Sequence, residues 1–75
     1  MEILAQRMRE LRKERKISQE VLAKELGVAW LSYQRYEGNE RDPRAPFIKA
    51  FADYFNVSID YLLERTDDPT FYRGR

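Results

Sequence analysis

The sequence predicts a small all-α domain of five helices. Apolar residues recur at helical spacing along most of the chain, and no alternation typical of a strand extends beyond a few residues. Capping residues also stand where helices would begin and end. Seventy-five residues are enough for one domain, near the lower size limit for a core without crosslinks. We expect this domain to span residues 1–65 and a C-terminal tail to follow over 66–75.

The first helix is predicted over about residues 2–15, because apolar residues recur there at positions i, i+4 and i+7. These residues are Leu4, Met8 and Leu11. Ser18 is a good N-cap for a second helix. Gly27 stands where that helix would end in a residue tolerant of positive φ.

A third helix is expected over about residues 29–36, followed by a turn-rich connection. Pro46 is acceptable only in the first turn of a helix, so a fourth helix should begin near Ala45. Asn56 should close it. Ser58 should cap a short fifth helix that ends at about Glu64.

Residues 18–37 are the most informative stretch, because they indicate two short helices joined by a tight Gly-Val turn. Their apolar residues are spaced so that both helices would share one buried face; they are Val21, Leu22, Leu26, Val28, Tyr33 and Tyr36. This arrangement is a helix-turn-helix, in which the second helix stands out far enough to enter a DNA major groove.

Composition excludes several classes of function. The chain has no cysteine and no histidine, so disulfides, zinc fingers and the commonest general base are absent. We therefore expect no catalytic site, no metal and no cofactor. No apolar run approaches a membrane span, and we expect a cytoplasmic protein with no membrane partner.

The charge distribution is more informative than the net charge of +1. Residues 1–16 contain six basic and three acidic residues, a local charge of +3. Residues 18–37 contain two basic and three acidic residues, a local charge of −1. This pattern predicts that the first helix, together with Arg41 and Arg44, supplies most of the attraction for phosphates.

Several motifs in this order resemble the lambda-repressor-like (Xre or Cro-type) helix-turn-helix family over about residues 3–64. They are Ser18-Gln19, Leu22-Ala23, Leu26-Gly27-Val28, Gln34-Arg35-Tyr36-Glu37, Arg41-x-Pro43, Ile48-x-x-Phe51-Ala52 and the run from Phe55 to Leu63. The resemblance implies a five-helix fold whose third helix reads DNA. Most members of the family are bacterial or phage transcriptional regulators that bind operators as dimers.

The resemblance also implies roles for individual residues. Those expected to contact DNA are Gln19 and Arg41 with Arg44 at phosphates, and Trp30, Leu31, Gln34 and Arg35 at bases. Arg12 and Glu37 match positions that form a structural ion pair.

Three residues of the third helix depart from the family pattern. Ala29 replaces the usual capping Ser or Thr. Trp30 and Leu31 stand where polar residues are usual. Three interpretations of Trp30 and Leu31 stay open: contact with thymine methyl groups, a small protein-binding patch, or burial in the core.

The function we expect is that of a transcriptional regulator, a repressor that binds a palindromic operator as a homodimer. The candidates for the dimer contact are Phe47, Tyr54, Ile59, Leu62 and Leu63. The alternative is an antitoxin-like or antirepressor-like module that binds a protein partner through Trp30 and Leu31. Phe71 and Tyr72 could pack back on the body, meet a second subunit or be exposed.

Overall fold

The computed structural model describes residues 2–70 and consists of five helices. They are α1 (Glu2–Glu14), α2 (Gln19–Leu26), α3 (Trp30–Glu37), α4 (Ala45–Phe55) and α5 (Ile59–Leu62). All five predicted helices are present, and residues 2–70 contain no strand. Phe71 and Tyr72 lie outside the described residues. Within those residues, no helix is long and apolar enough to cross a membrane.

The helix ends follow the capping residues that the sequence indicates. The Ser18 hydroxyl accepts a hydrogen bond from the Val21 amide at 3.1 Å, and α2 ends at Gly27 with a left-handed φ of 76°. Asn56 ends α4 with a φ of 56°. Both residues donate their own amides to the last carbonyls of the helix before them.

The fifth helix is shorter than predicted. Ser58 caps it, since its hydroxyl accepts from the Tyr61 amide at 3.0 Å. The helix ends at Leu62 instead of near Glu64, because Glu64 has a left-handed φ of 64° that stops helical continuation.

One core runs between the helices. Its large side chains with almost no exposed surface come from every helix; they are Leu4, Met8, Leu22, Tyr33, Phe51 and Leu62. Phe47 extends the core at its edge, with its ring centroid 4.9 Å from that of Tyr36. Such an aromatic-rich core gives a short chain more buried apolar area per residue.

Two apolar residues lie where the sequence did not predict them. Val21 was expected on the buried face but is 52% exposed, because it precedes Leu22 by about 100° of helical rotation and so does not point into the core with it. Leu62 was a candidate for the dimer contact, but it has no exposed surface. It packs inside the monomer, so that expectation is wrong.

Two arginines of α1 and Arg15, directly after it, bond to the ends of three other helices. Arg7 donates to the Tyr61 carbonyl at the end of α5, Arg9 to the Glu37 carbonyl at the end of α3, and Arg15 to the Phe55 carbonyl at the end of α4. Carbonyls at helix C-termini lack partners within their own helix, and cations near them are stabilising.

These contacts change the role of α1. The sequence indicated that the first helix supplies phosphate attraction. In the structure, Arg7 and Arg9 of α1, and Arg15 directly after it, donate to the protein's own carbonyls. We therefore interpret Arg7, Arg9 and Arg15 as residues that stabilise the fold. The same holds for Arg12, whose bonds are described below.

The chain after α5 stays against the body as far as Pro69. Arg7 donates to the Thr66 carbonyl at 3.0 Å and pairs with the Asp67 carboxylate at 3.1 Å. The Ser58 amide donates to the Pro69 carbonyl at 3.0 Å. Residues 66–69 are therefore held against the body by these bonds, although they form no helix or strand.

The uncapped start of α3 generates a stability prediction. Ala29 has the extended backbone of a capping residue (φ −65°, ψ 143°), close to that of Ser18 (φ −73°, ψ 158°), but it offers no side-chain acceptor. Ala29→Ser should raise the free energy of unfolding by about 0.5–2 kcal/mol, because its hydroxyl can accept from a free amide of the first turn. Urea unfolding measures this.

The matched controls are Ser18→Ala and Ser58→Ala, which remove existing caps and should lower the free energy of unfolding by a similar amount. If both controls behave so while Ala29→Ser stays unchanged or loses stability, the start of α3 is not limited by its missing cap.

Candidate nucleic-acid interface

The exposed face of α3 brings together the four residues predicted to contact bases. Tyr33 and Glu37 are buried and hold the inner side of the helix. Trp30 and Leu31 are 48% and 55% exposed, and Gln34 and Arg35 are exposed as well. Burial, one of the three interpretations of Trp30 and Leu31, is therefore wrong, because the core side of α3 is already filled.

The four exposed residues form two short rows along α3. Trp30 and Gln34 are four residues apart, as are Leu31 and Arg35, so each pair lies on the same side one turn apart. The first turn of this face is therefore apolar and the second turn is polar. In helix-turn-helix domains the N-terminal residues of the second helix are those that reach base edges.

An ion pair between Arg12 and Glu37 holds the C-terminal end of α3 against α1. Arg12 Nε lies 2.6 Å from Glu37 Oε2, and Arg12 Nη2 lies 3.1 Å from Oε1, so the contact is bidentate. The Glu37 side chain is 1% exposed and that of Arg12 is 12% exposed. Arg12 also donates to the Ile17 carbonyl at 2.9 Å, which ties the α1–α2 turn to the same place.

The electrostatics of Glu37 follow from this environment. Burial on its own would raise the pKa of Glu37, but the hydrogen bonds that it accepts, above all from Arg12, outweigh burial and hold the pKa below its ordinary value. The carboxylate is thus charged at neutral pH and matched to the guanidinium.

Gln19 makes a contact that the resemblance did not imply. Its side-chain amide donates to Glu37 Oε1 at 3.0 Å, so it joins α2 to the ion pair. One amide hydrogen is therefore engaged inside the protein. Contact of Gln19 with a phosphate stays a prediction, and it would have to use a donor other than this amide hydrogen.

The loop after α3 carries the two other predicted phosphate contacts. Gly38 and Glu40 donate their amides to the Gln34 and Arg35 carbonyls, so the loop begins folded against the end of α3. Arg41 and Arg44 follow and are exposed. Both side chains are thus accessible from the solvent in the loop that follows α3.

A cleft of about 460 Å³ separates the outer side of α2 from the start of α3. Apolar side chains dominate it, and a glutamate and a lysine flank it; the lining residues are Glu20, Val21, Ala23, Lys24, Val28 and Trp30. Sequence reasoning missed this cleft, since Val21 was expected in the core. The available signal was that Val21 and Leu22 are neighbours in the sequence. Neighbours on a helix point about 100° apart, so the two could not both point to the centre of the core.

The remaining candidates for a dimer contact are only partly available. Ile59 is 38% exposed, and Leu63 is half-buried. Phe47 is half-buried against Tyr36, and the half-buried Tyr54 donates its hydroxyl to Glu25 at 3.0 Å. Within residues 2–70, no group of three or more acidic, histidine or cysteine side chains could hold a metal ion.

Comparison with known proteins identifies the family. A family model described as "Helix-turn-helix" matches residues 8–62. The chain is 42% identical over 64 residues to an uncharacterized HTH-type transcriptional regulator, YobD, of Bacillus subtilis (strain 168), covering 85% of this chain and 57% of the relative. The chain belongs to the lambda-repressor-like helix-turn-helix family.

Two further proteins agree with this membership of the lambda-repressor-like family. The uncharacterized HTH-type transcriptional regulator YqaE of the same organism is 29% identical over 62 residues, covering 83% of this chain and 53% of the relative. The N-terminal DNA binding domain of SinR from Bacillus subtilis matches with a TM-score of 0.77 and 30% identity, covering 84% of this chain and 93% of that domain.

Membership defines the general activity. Lambda-repressor-like helix-turn-helix domains are DNA-binding domains of transcriptional regulators and are not an enzyme class. The chain spans just over half the length of the two curated regulators that it matches.

The buried ion pair generates a pH prediction. Because the folded state lowers the pKa of Glu37, the pair contributes stability above the unfolded pKa of about 4.5, and this stability is lost as pH falls through the folded pKa. Glu37→Gln should lower the free energy of unfolding at pH 7 by about 3 kcal/mol, since Arg12 stays buried without its counter-charge. Glu37→Gln should also make the free energy of unfolding fall less steeply as pH decreases.

Urea unfolding at several pH values between 3 and 7 measures both effects. Glu14→Gln, at an exposed residue of the same helix as Arg12, is the control and should leave the decline in acid in place. An equally steep decline in Glu37→Gln would mean that another carboxylate governs acid unfolding.

Proposed function

We propose that this domain represses transcription by binding a palindromic DNA operator as a homodimer, with α3 in the major groove. The observation that carries the proposal is the exposed face of α3, where Trp30, Leu31, Gln34 and Arg35 stand together on a helix anchored by Tyr33 and Glu37. Repression needs nothing more than occupancy, since a protein bound across a promoter excludes the polymerase. This function would be carried out in the cytoplasm.

The polar turn of α3 has the chemistry for reading two kinds of base. The Arg35 guanidinium can bond bidentately to the major-groove edge of guanine, and the Gln34 amide can do the same with adenine. Arg35 makes no ion pair within residues 2–70, so its guanidinium is available. Each such contact contributes about 1–3 kcal/mol of discrimination between bases.

Phosphate contacts would come from the flanks of α3. Arg41 and Arg44 can neutralise backbone phosphates beside the groove, and Gln19 at the start of α2 can add a further contact. These residues would position the domain and make binding depend on salt, without reading sequence.

A dimer is supported by the small size of one reading helix. A half-site of about four base pairs recurs constantly in a genome, whereas two copies about one DNA turn apart define a palindrome. Ile59 and Leu63 offer the apolar surface that best suits the contact between copies, and the exposed edges of Phe47 and Tyr54 can extend it.

A second candidate function has its own observation. The cleft between α2 and α3 joins Val21, Val28 and Trp30 into an apolar surface that continues onto Leu31. An antitoxin-like or antirepressor-like domain could seat a partner's apolar side chain there. Such binding would depend on Val21, which lies on α2, and would respond little to salt.

We expect Arg35→Ala to raise the Kd for a selected operator about 5- to 150-fold, because one bidentate base contact is lost. Arg41→Ala and Arg44→Ala should instead weaken binding to all sequences and each reduce the slope of log K against log salt by about one. Fluorescence anisotropy at several salt concentrations separates the two behaviours.

The control is Lys49→Ala, which removes an exposed cation from α4 outside the motif. It should leave affinity and base preference nearly unchanged. If Arg35→Ala behaves like Lys49→Ala, α3 does not read bases through this residue.

Selection from a random DNA library should enrich sites in which a short sequence recurs as an inverted repeat, with half-site centres about 34–36 Å apart. Sedimentation equilibrium of the complex should give two protein chains per duplex. Enrichment of single, unrepeated sites bound by one chain would exclude the dimeric operator model.

A further inference from the structure

The reading face of α3 is divided by chemistry along the helix axis. Its first turn presents two large apolar side chains, Trp30 and Leu31, at 48% and 55% exposure. Its second turn presents Gln34 and Arg35, one helical turn further on. Exposing two large apolar groups side by side is unfavourable in water, so this turn is suited to an apolar partner.

A major groove offers one prominent apolar group. Thymine carries a C5-methyl group on its major-groove edge, whereas the other bases present hydrogen-bond donors and acceptors there. Leu31 has no hydrogen-bonding group, and Trp30 has a single indole N–H donor, so neither can bond a base bidentately as an amide or a guanidinium does. Contact with methyl groups is therefore the readout that this turn can provide.

We propose that Trp30 and Leu31 select thymines by their methyl groups, and that these thymines lie one to two base pairs from a guanine bound by Arg35. The spacing follows from geometry: one helical turn advances about 5.4 Å, and base pairs are stacked about 3.4 Å apart. This inference rests on the proposed DNA-binding function and specifies which bases it recognises.

The cleft beside α3 provides the means to separate this readout from protein binding. Val21 lines the cleft with Trp30 and is 52% exposed, so it matches Leu31 in exposure and in apolar character. It lies on α2, however, and is not part of the reading face. Loss of Val21 thus tests the cleft, and loss of Leu31 tests the face.

The experiment uses a selected operator in which thymines are replaced one at a time by deoxyuridine, which removes the methyl group and keeps every hydrogen-bonding group. With the wild-type chain, replacement at the contacted thymines should raise the Kd about fourfold per methyl, and replacement elsewhere should have no effect. The sensitive thymines should lie one to two base pairs from the guanine whose substitution Arg35→Ala tolerates.

The variants Leu31→Ala and Trp30→Ala assign each methyl to a side chain. Each should bind the thymine operator more weakly and should lose the fourfold difference between thymine and deoxyuridine at its own position. Val21→Ala is the matched control and should keep that difference. Circular dichroism and thermal unfolding confirm that each variant is folded, as expected for exposed residues.

Each remaining outcome overturns the proposal in a distinguishable way. If sequence-specific binding occurs but deoxyuridine is tolerated at every position, the thymine inference fails and the proposed function stands. If Leu31→Ala and Trp30→Ala keep the full discrimination, the methyl groups are read by other residues. If no duplex binds even in low salt, both proposals fail, and loss of a protein partner in Val21→Ala would then favour the cleft as the functional surface.

Discussion

The buried ion pair between Arg12 and Glu37 is the constraint on which the exposed face of α3 depends. Its two side chains come from α1 and from the last residue of α3, and both have been removed from water. A buried charge is tolerated only when a counter-charge and hydrogen bonds replace its hydration. Arg12 therefore donates hydrogen bonds to the Glu37 carboxylate and to the Ile17 carbonyl, and the Gln19 amide donates a further hydrogen bond to Glu37. The helices α1, α2 and α3 meet at this one carboxylate, so the orientation of α3 is set by electrostatics as well as by apolar packing.

Hydrogen bonds from charged side chains also explain how α1 stabilises the fold. Helix C-termini expose carbonyls without partners. Arg7 and Arg9 of α1, and Arg15 directly after it, lie beside three of these ends. The short helices α3 and α5 benefit most, because they have few internal hydrogen bonds of their own. Four of the six basic residues in 1–16 thus form hydrogen bonds with other groups of the protein; they are Arg7, Arg9, Arg12 and Arg15. In the proposed DNA-binding function, attraction for phosphates would come instead from the arginines around α3, in a domain whose net charge is only +1.

An exposed apolar surface surrounds the start of α3. A protein of this size has little apolar area to spare, and yet Trp30, Leu31 and Val21 remain about half exposed. Large apolar groups that lie together at the surface usually mark a contact site. Trp30 and Leu31 lie at the start of α3 and would make the proposed DNA contact. Val21 lies on α2 and lines the adjoining cleft, which supports the alternative of a protein partner. Both interpretations assign function to the same few side chains.

The sequence by itself determined the five helices, their caps and the tight turn, because periodicity and capping are local properties that act within a few residues. Its motifs also indicated the family and the pairing of Arg12 with Glu37. Only the tertiary structure decided which side of each helix is covered. Leu62 is buried and Val21 exposed, although both belong to apolar helical patterns. Likewise, the bond from Gln19 to Glu37 joins residues 18 positions apart in the chain. Periodicity shows that a helix has an apolar face, but the packing of neighbouring helices determines which atoms that face meets.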